Sequence, residues 1–433
     1  MITDRRRFLR ATGTAFAALA ASGCMRGSLA AAAGRAGYGP LVTDPAGLID
    51  LPAGFTYRIV SRLGDAMDDG FTVPDAADGM GCFDLGGGKL ALVRNHELRP
   101  EQDGGGVAGP AYDTVARSMV PLPGGTTTLV IDSQTLAVER QYRSLAGTIR
   151  NCAGGITPWG SWLSCEENVQ RANGRFNQDH GYVFEVPARG TGLVTPVPLK
   201  AMGRFNHEAA CIDPATGIVY LTEDREDGLL YRFIPNVPGQ LAQGGKLQAM
   251  VLDGVTDSRN WMDANLSFNQ WVGVHWVDLD NPEAPDDDLR KRGSALGATL
   301  FARGEGIWMG ENELYFVCTS GGHAKLGQIF RLRPAGAESL QVFFESTSAE
   351  QFNYGDNLTV APNGHLVVCE DQYTDVVTNH LRGITPRGEP YPLAFTKEQT
   401  EWAGACFSPD GKWLFVNLYS PTRTVAITGP WMA

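Results

Sequence analysis

Acidic residues recur along this chain in a two-part pattern. A carboxylate or asparagine opens a short apolar stretch, and a polar pair closes the next apolar stretch. The clearest copies are Glu208 with Glu223-Asp224, Asp356-Asn357 with Glu370-Asp371, and Asn151-Cys152 with Glu166-Glu167. Looser copies are Asp78 with Asn95-His96-Glu97, Glu305 with Thr319-Ser320, and Glu401 with Asn417. Because gathered carboxylates are costly unless something neutralises them, the pattern predicts a shared metal site.

Most ligands in this pattern are oxygen atoms. The candidate metal ligands are Glu97, Cys152, Glu166, Glu167, Glu208, Glu223, Asp224, Asp356, Asn357, Glu370 and Asp371. Carboxylate and amide oxygens suit Ca²⁺, which takes six to eight of them. A thiolate at Cys152 is a softer ligand and favours a transition metal such as iron beside calcium. Any one of these residues, taken alone, has an ordinary alternative as a solvated turn residue or a buried apolar thiol. Their recurrence at equivalent positions is what favours the metal hypothesis.

An arginine next to this pattern is a candidate for binding substrate. Arg303 stands two residues before Glu305 at the start of the fourth unit. A guanidinium there can bind an anionic substrate through two hydrogen bonds, or it can simply neutralise the acids. Arg204 is a weaker second candidate, and His96 and His207 are expected to support neighbouring ligands by hydrogen bonds. Arg303 and Glu305 are therefore the predicted catalytic residues.

The elements that must position these residues are short strands separated by turns. Repeating units start near residues 78, 151, 208, 305, 356 and 401, and each contains a few antiparallel strands. Such repeats predict an all-β fold, a single β-propeller with six blades, with a β-sandwich as the alternative. In a blade, the start of the first strand lies beside the end of the second. Both parts of the acidic pattern should then meet at one mouth of the central channel.

The propeller is expected to span residues 51–433 and to follow a linker at 34–50. An insertion at about 236–300 and a Gly- and Pro-rich segment at 98–125 are expected to form loops on the rim of the mouth. The composition is that of a globular protein, with 43% hydrophobic and 19% charged residues. We expect a monomer.

The first 33 residues read as an export signal. Asp4-Arg5-Arg6-Arg7-Phe8-Leu9-Arg10 matches a twin-arginine signal and precedes an apolar run. The alternative to cleavage near Ala30–Ala33 is a lipoprotein box ending at Cys24, which would anchor the protein through a lipid. Losing five arginines and one aspartate with the signal takes the net charge from −12 to −16, which disfavours nucleic acid and anionic membranes as partners. No later segment is long and apolar enough to span a bilayer.

The segment Asn151–Glu167, with its Asn-Cys-Ala-Gly-Gly start and Cys-Glu-Glu end, resembles the signature of PhoX-type alkaline phosphatases. The segments Asn95–Glu97, Gly203–Glu208, Leu221–Asp224, Arg303–Gly306, Asp356–Asn357 and Cys369–Asp371 match in the same order. The resemblance implies a propeller with a mixed Ca²⁺ and Fe³⁺ cluster, export by the twin-arginine machinery, and hydrolysis of phosphate esters. It makes Cys152 and several acids metal ligands, and Arg303 a phosphate contact. The fourth unit departs from the pattern, because Cys318-Thr319-Ser320 supplies no carboxylate.

The function predicted from the sequence is extracytoplasmic, metal-dependent hydrolysis of phosphate monoesters. Two alternatives stay open: a calcium-dependent propeller hydrolase acting on phosphodiesters or lactones, and a non-catalytic binding propeller stabilised by calcium. The units starting near 151, 208 and 356 are expected to hold most of the metal, and Glu401 with Asn417 is expected to be mainly structural.

Overall fold

The computed structural model describes residues 36–432, and these fold as an all-β unit, as predicted. The twin-arginine signal and Cys24 lie outside the described residues. The helices of the described chain are α1 (Leu289–Ala295) and two short 3₁₀ turns (Lys200–Met202 and Leu241–Gln243). Within residues 36–432 no helix has the length and apolar character needed to cross a membrane.

The strands form six antiparallel blades of three or four strands, together with a few added edge strands. In chain order they are β1 (Leu41–Val42), β2 (Ile49–Pro52), β3 (Thr56–Arg62), β4 (Ala77–Gly86), β5 (Lys89–His96), β6 (Gly124–Asp132), β7 (Val138–Thr148), β8 (Asn151–Ile156), β9 (Ser161–Glu166), β10 (Val183–Pro187), β11 (His207–Ile212), β12 (Val219–Glu223), β13 (Leu230–Pro235), β14 (Gly245–Leu252), β15 (Val272–Leu279), β16 (Gly304–Met309), β17 (Leu314–Cys318), β18 (Gln328–Arg333), β19 (Ser339–Glu345), β20 (Gly355–Val360), β21 (Leu366–Glu370), β22 (His380–Ile384), β23 (Pro390–Thr396), β24 (Trp402–Phe407), β25 (Leu414–Leu418) and β26 (Arg423–Thr428).

The first strand of each blade lines a central channel. These six inner strands are β4, β8, β11, β16, β20 and β24, and each contacts the next around a closed ring. Apolar side chains fill the space between neighbouring blades. For example, Leu163 and Val183 of the second blade belong to one buried cluster with Leu221 and Phe233 of the third. The arrangement is the β-propeller that the repeats predict.

The ring is closed by the start of the described chain. Strand β3 pairs with β26 and completes the sixth blade as its outer strand. Strands β1 and β2 pair with each other, and β2 adds to β23 at the outer edge of the fifth blade. Part of the segment expected to be a linker (34–50) is therefore built into a sheet. The sequence did not reveal this because its Gly- and Pro-rich composition resembles that of a flexible connection.

The expected insertion at about 236–300 divides into two parts. Its first part contains β14, which is a regular outer strand of the third blade. The part beyond β14 contains β15 and α1. Strand β15 extends the third blade's sheet and also pairs with β19, so the outer edges of the third and fourth blades are joined.

Candidate metal centre and active site at the channel mouth

Every inner strand carries a β-bulge at the same height, just inside the channel mouth. The ladder between first and second strands skips two residues in each blade, beginning at Asp78, Cys152, Glu208, Glu305, Asp356 and Gly404. A bulge leaves its extra residue unpaired and re-aims the side chain. In five blades the first half of the acidic pattern therefore includes the first bulge residue. In the sixth blade that position is Gly404, and Glu401, the acid of the predicted pattern, lies three residues before it.

The second half of the pattern splits into two roles. Adjacent residues of a strand point to opposite faces, so the two residues of each closing pair point in different directions. The first residue pairs with the residue before the bulge, as Asn151 does with Glu166 and His207 with Glu223. The second residue follows the strand end, at the channel mouth.

The first glutamate of each closing pair ties its own blade together. Glu166 accepts hydrogen bonds from the backbone N–H groups of Ile149 (3.0 Å) and Gly181 (2.9 Å). Glu223 accepts from the hydroxyl of Tyr231 at 2.7 Å. Glu370 is held in the same way, by the backbone N–H groups of Asn353 and His380 and by Nε of Arg382. The structure thus places Glu166, Glu223 and Glu370 away from the channel, where each fastens the loops that enter neighbouring strands.

The remaining acids meet at the mouth and are here called the acidic cluster. Their ligand atoms fall into four overlapping groups, in each of which all three atoms lie within 4.8 Å of one another. The groups are Asp78–Glu97–Cys152, Cys152–Glu167–Glu208, Glu208–Glu305–Asp356, and Asp356–Asp371–Glu401. Cys152, Glu208 and Asp356 each belong to two groups, so the cluster is a continuous arc around the mouth. Asp78 and Glu401 were not among the predicted ligands, although both stand in the looser copies of the repeat.

The donor set fits bound cations. Within residues 36–432, Oδ1 of Asp78 and Oε1 of Glu208 are buried without any hydrogen-bond partner. Burial, and then the neighbouring carboxylates, hold the pKa values of Asp78, Glu208 and Asp356 well above their usual range. Buried acids without partners are expensive, and cations would neutralise them. Eight carboxylates and one thiol offer mainly hard oxygen donors with a single soft sulfur.

Arg303 and Glu305 lie together at the edge of the cluster. Arg303 Nε and Nη2 donate to the two carboxylate oxygens of Asp224, at 2.7 and 3.0 Å. Nη2 also donates to Glu305 Oε1 at 3.1 Å and to the hydroxyl of Tyr373 at 3.2 Å. Asp224 therefore pairs with arginine and stands outside the four groups of ligand atoms, whereas Glu305 belongs to one of them.

A second arginine, Arg150, occupies the position in the second blade that Arg303 occupies in the fourth. Each stands directly before an inner strand with a positive φ, 47° for Arg150 and 54° for Arg303. Arg150 donates from Nε to Glu97 Oε1 at 2.7 Å and pairs with Glu167 through Nη2. Arg150 was not among the residues predicted from the sequence. The sequence could have indicated it, because Arg150 stands two residues before Cys152 just as Arg303 stands two residues before Glu305.

The floor of the site is backbone. The second bulge residues are small in five blades, and a Cβ added to Gly306 would lie 2.7 Å from Cα of Asn357 in the next inner strand. Below the cluster the channel narrows to a cavity of about 20 Å³, space for at most one water molecule. Directly beneath the cluster the channel is therefore nearly filled by the backbone and side chains of the inner strands.

Asn357 and Asn417 organise this floor. Asn357 donates from Nδ2 to Asp356 Oδ1 at 2.8 Å, and its Oδ1 accepts from the backbone N–H of Gly404 at 2.5 Å. Both ends of the amide are therefore used in positioning. Asn417 donates to the backbone oxygen of Asp78 at 2.6 Å, whereas its partner Glu401 belongs to the acidic cluster.

The remaining polar candidates are buried beside the site. Arg204 is 1% exposed and donates from Nη1 to the backbone oxygen of Ala284 at 3.0 Å, which fixes a rim loop. His96 contacts the backbone oxygen of Asp75 and the hydroxyl of Thr127. His207 contacts the backbone oxygen of Gly203 at 3.0 Å. All three are placed to support structure and not to face the mouth.

Comparison with known proteins identifies the family to which this chain belongs. The family model for alkaline phosphatase PhoX matches residues 36–422. Pseudomonas fluorescens PhoX in complex with vanadate, a transition-state analogue, superimposes with a TM-score of 0.70 at 19% identity, over 90% of this chain and 97% of that one. A search of curated protein sequences gives no significant match.

Two further solved structures resemble this fold only distantly. A luciferin-regenerating enzyme gives a TM-score of 0.43 at 11% identity, over 87% of this chain and 96% of that one. The periplasmic gluconolactonase PpgL of Pseudomonas aeruginosa gives 0.40 at 14% identity, over 84% and 89%. These two scores carry no argument about function. The family match spans most of the described chain, and a metal-dependent site fits the acidic groups at the mouth. The chain therefore belongs to the alkaline phosphatase PhoX family and is a hydrolase of phosphate esters.

Proposed function

We propose that this protein hydrolyses phosphate monoesters outside the cytoplasm, using Ca²⁺ and Fe³⁺ held at the channel mouth. The observation that carries the proposal is the position of Arg303 at the edge of the acidic cluster. Its guanidinium already makes hydrogen bonds to Asp224 and Glu305. A phosphoryl group lying over the cluster would meet cations on one side and this guanidinium on the other.

The proposed ligand set follows the arc of the acidic cluster. It consists of Asp78, Glu97, Cys152, Glu167, Glu208, Glu305, Asp356, Asp371 and Glu401. Cys152 is the sulfur ligand of two adjacent groups, which makes those two the proposed iron positions, and the all-oxygen groups are the proposed calcium positions. Glu166 and Glu370 drop out of the proposed set because backbone and side-chain donors occupy their oxygens. Glu223 drops out because it stands outside the four groups, with its Oε2 held by Leu229 and Tyr231 and Arg290 lying 3.7 Å from its Oε1. Asn357 holds Asp356 in place, and Asp224 holds Arg303.

Cations bound there would supply positive charge to the phosphoryl oxygens. The protein's own groups bind and orient the substrate. Arg303 would bind the phosphoryl group through Nη1, the guanidinium nitrogen that makes no hydrogen bond within residues 36–432, and would stabilise the charge that grows in the transition state. Tyr373 lies against Arg303, with its ring centroid 5.3 Å from the guanidinium carbon, and restricts where that guanidinium points. The narrow channel beneath the cluster holds at most one water molecule, so electrostatic interactions at the site would be screened little from below.

Turnover of p-nitrophenyl phosphate tests the proposal directly. Protein loaded with Ca²⁺ and iron should hydrolyse it, and chelation should abolish the activity until metal is returned. Arg303→Ala should lower kcat by about 100-fold, as for other lost charge-stabilising contacts. Arg387→Ala is the matched control, because Arg387 is exposed on the turn between β22 and β23 and pairs only with Glu389 in the described chain. Metal-loaded protein that is inert towards all phosphate esters would refute the proposal.

Metal analysis separates this proposal from its alternatives. A calcium-only hydrolase or a calcium-stabilised binding protein has no need of a thiolate. Near-stoichiometric iron in natively exported protein, lost in Cys152→Ser while calcium is retained, supports the mixed centre. Export by the twin-arginine machinery and a monomeric state belong to the same proposal, and fractionation with size-exclusion chromatography checks both.

A further inference from the structure

A groove of about 440 Å³ opens beside the acidic cluster, over the second and third blades. Three arginines line it, Arg150, Arg171 and Arg225, with Glu167 as its lining acid. The chain as a whole is acidic, with a net charge of −12. A wall of three guanidinium groups is therefore unusual in this molecule. We call this feature the arginine groove.

The arginine groove begins at a proposed metal ligand. Glu167 belongs both to the acidic cluster and to the groove lining. Asn206 donates to Glu167 Oε1 at 3.3 Å, and Arg225 Nη2 donates to Asn206 Oδ1 at 2.9 Å. Two hydrogen bonds thus connect the edge of the cluster with the guanidinium of Arg225. A small molecule held at the cluster by its phosphoryl group would extend its remaining atoms along this line.

The cations farther from the cluster retain donors. Arg225 is about one-third exposed, its nearest carboxylate is Asp287 at 3.7 Å, and its buried Nε has no hydrogen-bond partner within residues 36–432. Arg171 donates from Nε to Asp179 at 3.2 Å and from Nη1 to the backbone oxygen of Pro285 at 2.7 Å, and its side chain is 48% exposed. Asp179 and Asp287 offset part of the positive charge. An incoming anion would accept charge-assisted hydrogen bonds from Nη2 of Arg171 and Nη1 of Arg225, which make none within residues 36–432.

We propose that the arginine groove binds a second anionic group of the substrate, so that the preferred substrates are phosphate esters carrying another phosphate or a carboxylate on the leaving side. This proposal rests on the proposed function, since it assumes that a phosphoryl group lies over the acidic cluster. The reaction is unchanged: the phosphorus–oxygen ester bond is cleaved by water, and the alcohol leaves with its second anion intact.

Matched substrate pairs test the groove. 3-Phosphoglycerate carries a carboxylate where glycerol 3-phosphate carries a hydroxymethyl group. Adenosine 3′,5′-bisphosphate differs from AMP by a second phosphate ester that stays on the leaving nucleoside, so the same kind of ester bond is cleaved in both members of each pair. The metal-loaded full-length protein should show at least a tenfold higher kcat/KM for the doubly anionic member of one or both pairs. Preference in both pairs means that the groove accepts any anion, and preference in the nucleotide pair alone means that it selects phosphate.

Variants then assign the effect to the groove. Arg225→Ala and Arg171→Ala should each reduce the preference several-fold, mainly through KM, and Arg225→Lys should restore part of it because the charge is kept. Arg387→Ala removes one positive charge at a distance and should leave the preference intact. Equal kcat/KM within both pairs, or a preference that survives both groove substitutions, would overturn the inference. Loss of the preference in Arg387→Ala would overturn it as well.

The failure of the proposed function would look different. In that case p-nitrophenyl phosphate is not hydrolysed by the metal-loaded wild type. Calorimetry of 3-phosphoglycerate and glycerol 3-phosphate binding to the metal-loaded protein then tests, without catalysis, whether the groove binds a second anionic group. Binding at least tenfold tighter for 3-phosphoglycerate, lost in Arg225→Ala, supports the groove without catalysis. Equal affinities overturn it.

Discussion

Removing the cations should make the stability of this protein strongly dependent on pH. Without them the carboxylates of the acidic cluster must be buried next to one another. Burial, reinforced by neighbouring acids, raises the pKa values of Asp78, Glu208 and Asp356 well above their usual range. The metal-free folded protein should therefore take up protons that its unfolded chain releases, and it should be most stable at mildly acidic pH.

Glu167 gives the scale of the effect. Burial raises its pKa from 4.5 to about 8, even though Arg150 opposes the shift. A carboxyl group whose pKa is raised on folding favours the folded state fully only below its unfolded pKa. As pH rises from 4.5 through about 8, that advantage is lost, at a cost of about 5 kcal/mol. Unfolding entropies of about 2.1 cal/mol/K per residue, over about 400 residues, convert this into a fall in Tm of roughly 6 °C.

Thermal melts at pH 5 to pH 9 check the prediction. Chelated protein should lose at least roughly 6 °C between these limits beyond any change in the metal-loaded protein, because the other acids of the cluster act in the same direction. Glu167→Gln should flatten the slope of the chelated protein. Glu311→Gln, which removes an exposed acid, should not change it. Parallel pH profiles for chelated and metal-loaded protein would show that the cluster does not bind cations that neutralise it.

Three further changes probe the floor, a loop anchor and the arginine. Gly306→Ala should cost about 1–3 kcal/mol and weaken metal binding, because its Cβ would meet the next inner strand's backbone, whereas Gly192→Ala has open space and serves as control. Burial lowers the pKa of His180, but neighbouring carboxylates outweigh this and raise it to about 9. Its contribution of about 3 kcal/mol, complete below pH 6.5, should therefore disappear as pH rises through 9, and His180→Gln should abolish that alkaline loss in melts. Tyr373→Phe removes a hydroxyl from Arg303 and should raise KM for p-nitrophenyl phosphate about threefold, with the fold unchanged by circular dichroism.

The propeller and the location of its acidic mouth were predictable from the sequence. The repeat places one acid or thiol near the start of five of the six inner strands, and antiparallel pairing brings the closing pair beside it. The closure of the ring was not predictable. Strand β3 lies far from β26 in sequence, and nothing in its composition marks it as the missing strand of the sixth blade.

Which residue of each closing pair faces the mouth was also hidden. Glu166 and Glu167 are the same residue type, so their chemistry cannot tell them apart. Their roles depend on the alternation of a strand, and the phase of that alternation is set by the bulge in the neighbouring strand. A bulge shifts the register by one residue and leaves no sequence signature of its own. The ligands predicted from the sequence therefore include both members of each of the three closing pairs. The structure brings only Glu167 and Asp371 into the groups of ligand atoms, and neither member of the third pair, Glu223-Asp224, belongs to them.

The unequal blades explain why the cluster is an arc and not a full ring. In the sixth blade the bulge position is Gly404, and a Cβ there would collide with the backbone oxygen of Asp78. The first and last blades therefore meet too closely for a sixth side chain. The fourth blade supplies Glu305 but closes with Thr319, so Arg303 has room beside the acids. The departures from symmetry that weaken the repeat in the sequence thus leave space for a substrate. That space lies between the arc of acids and the two arginines at equivalent blade positions, Arg150 and Arg303.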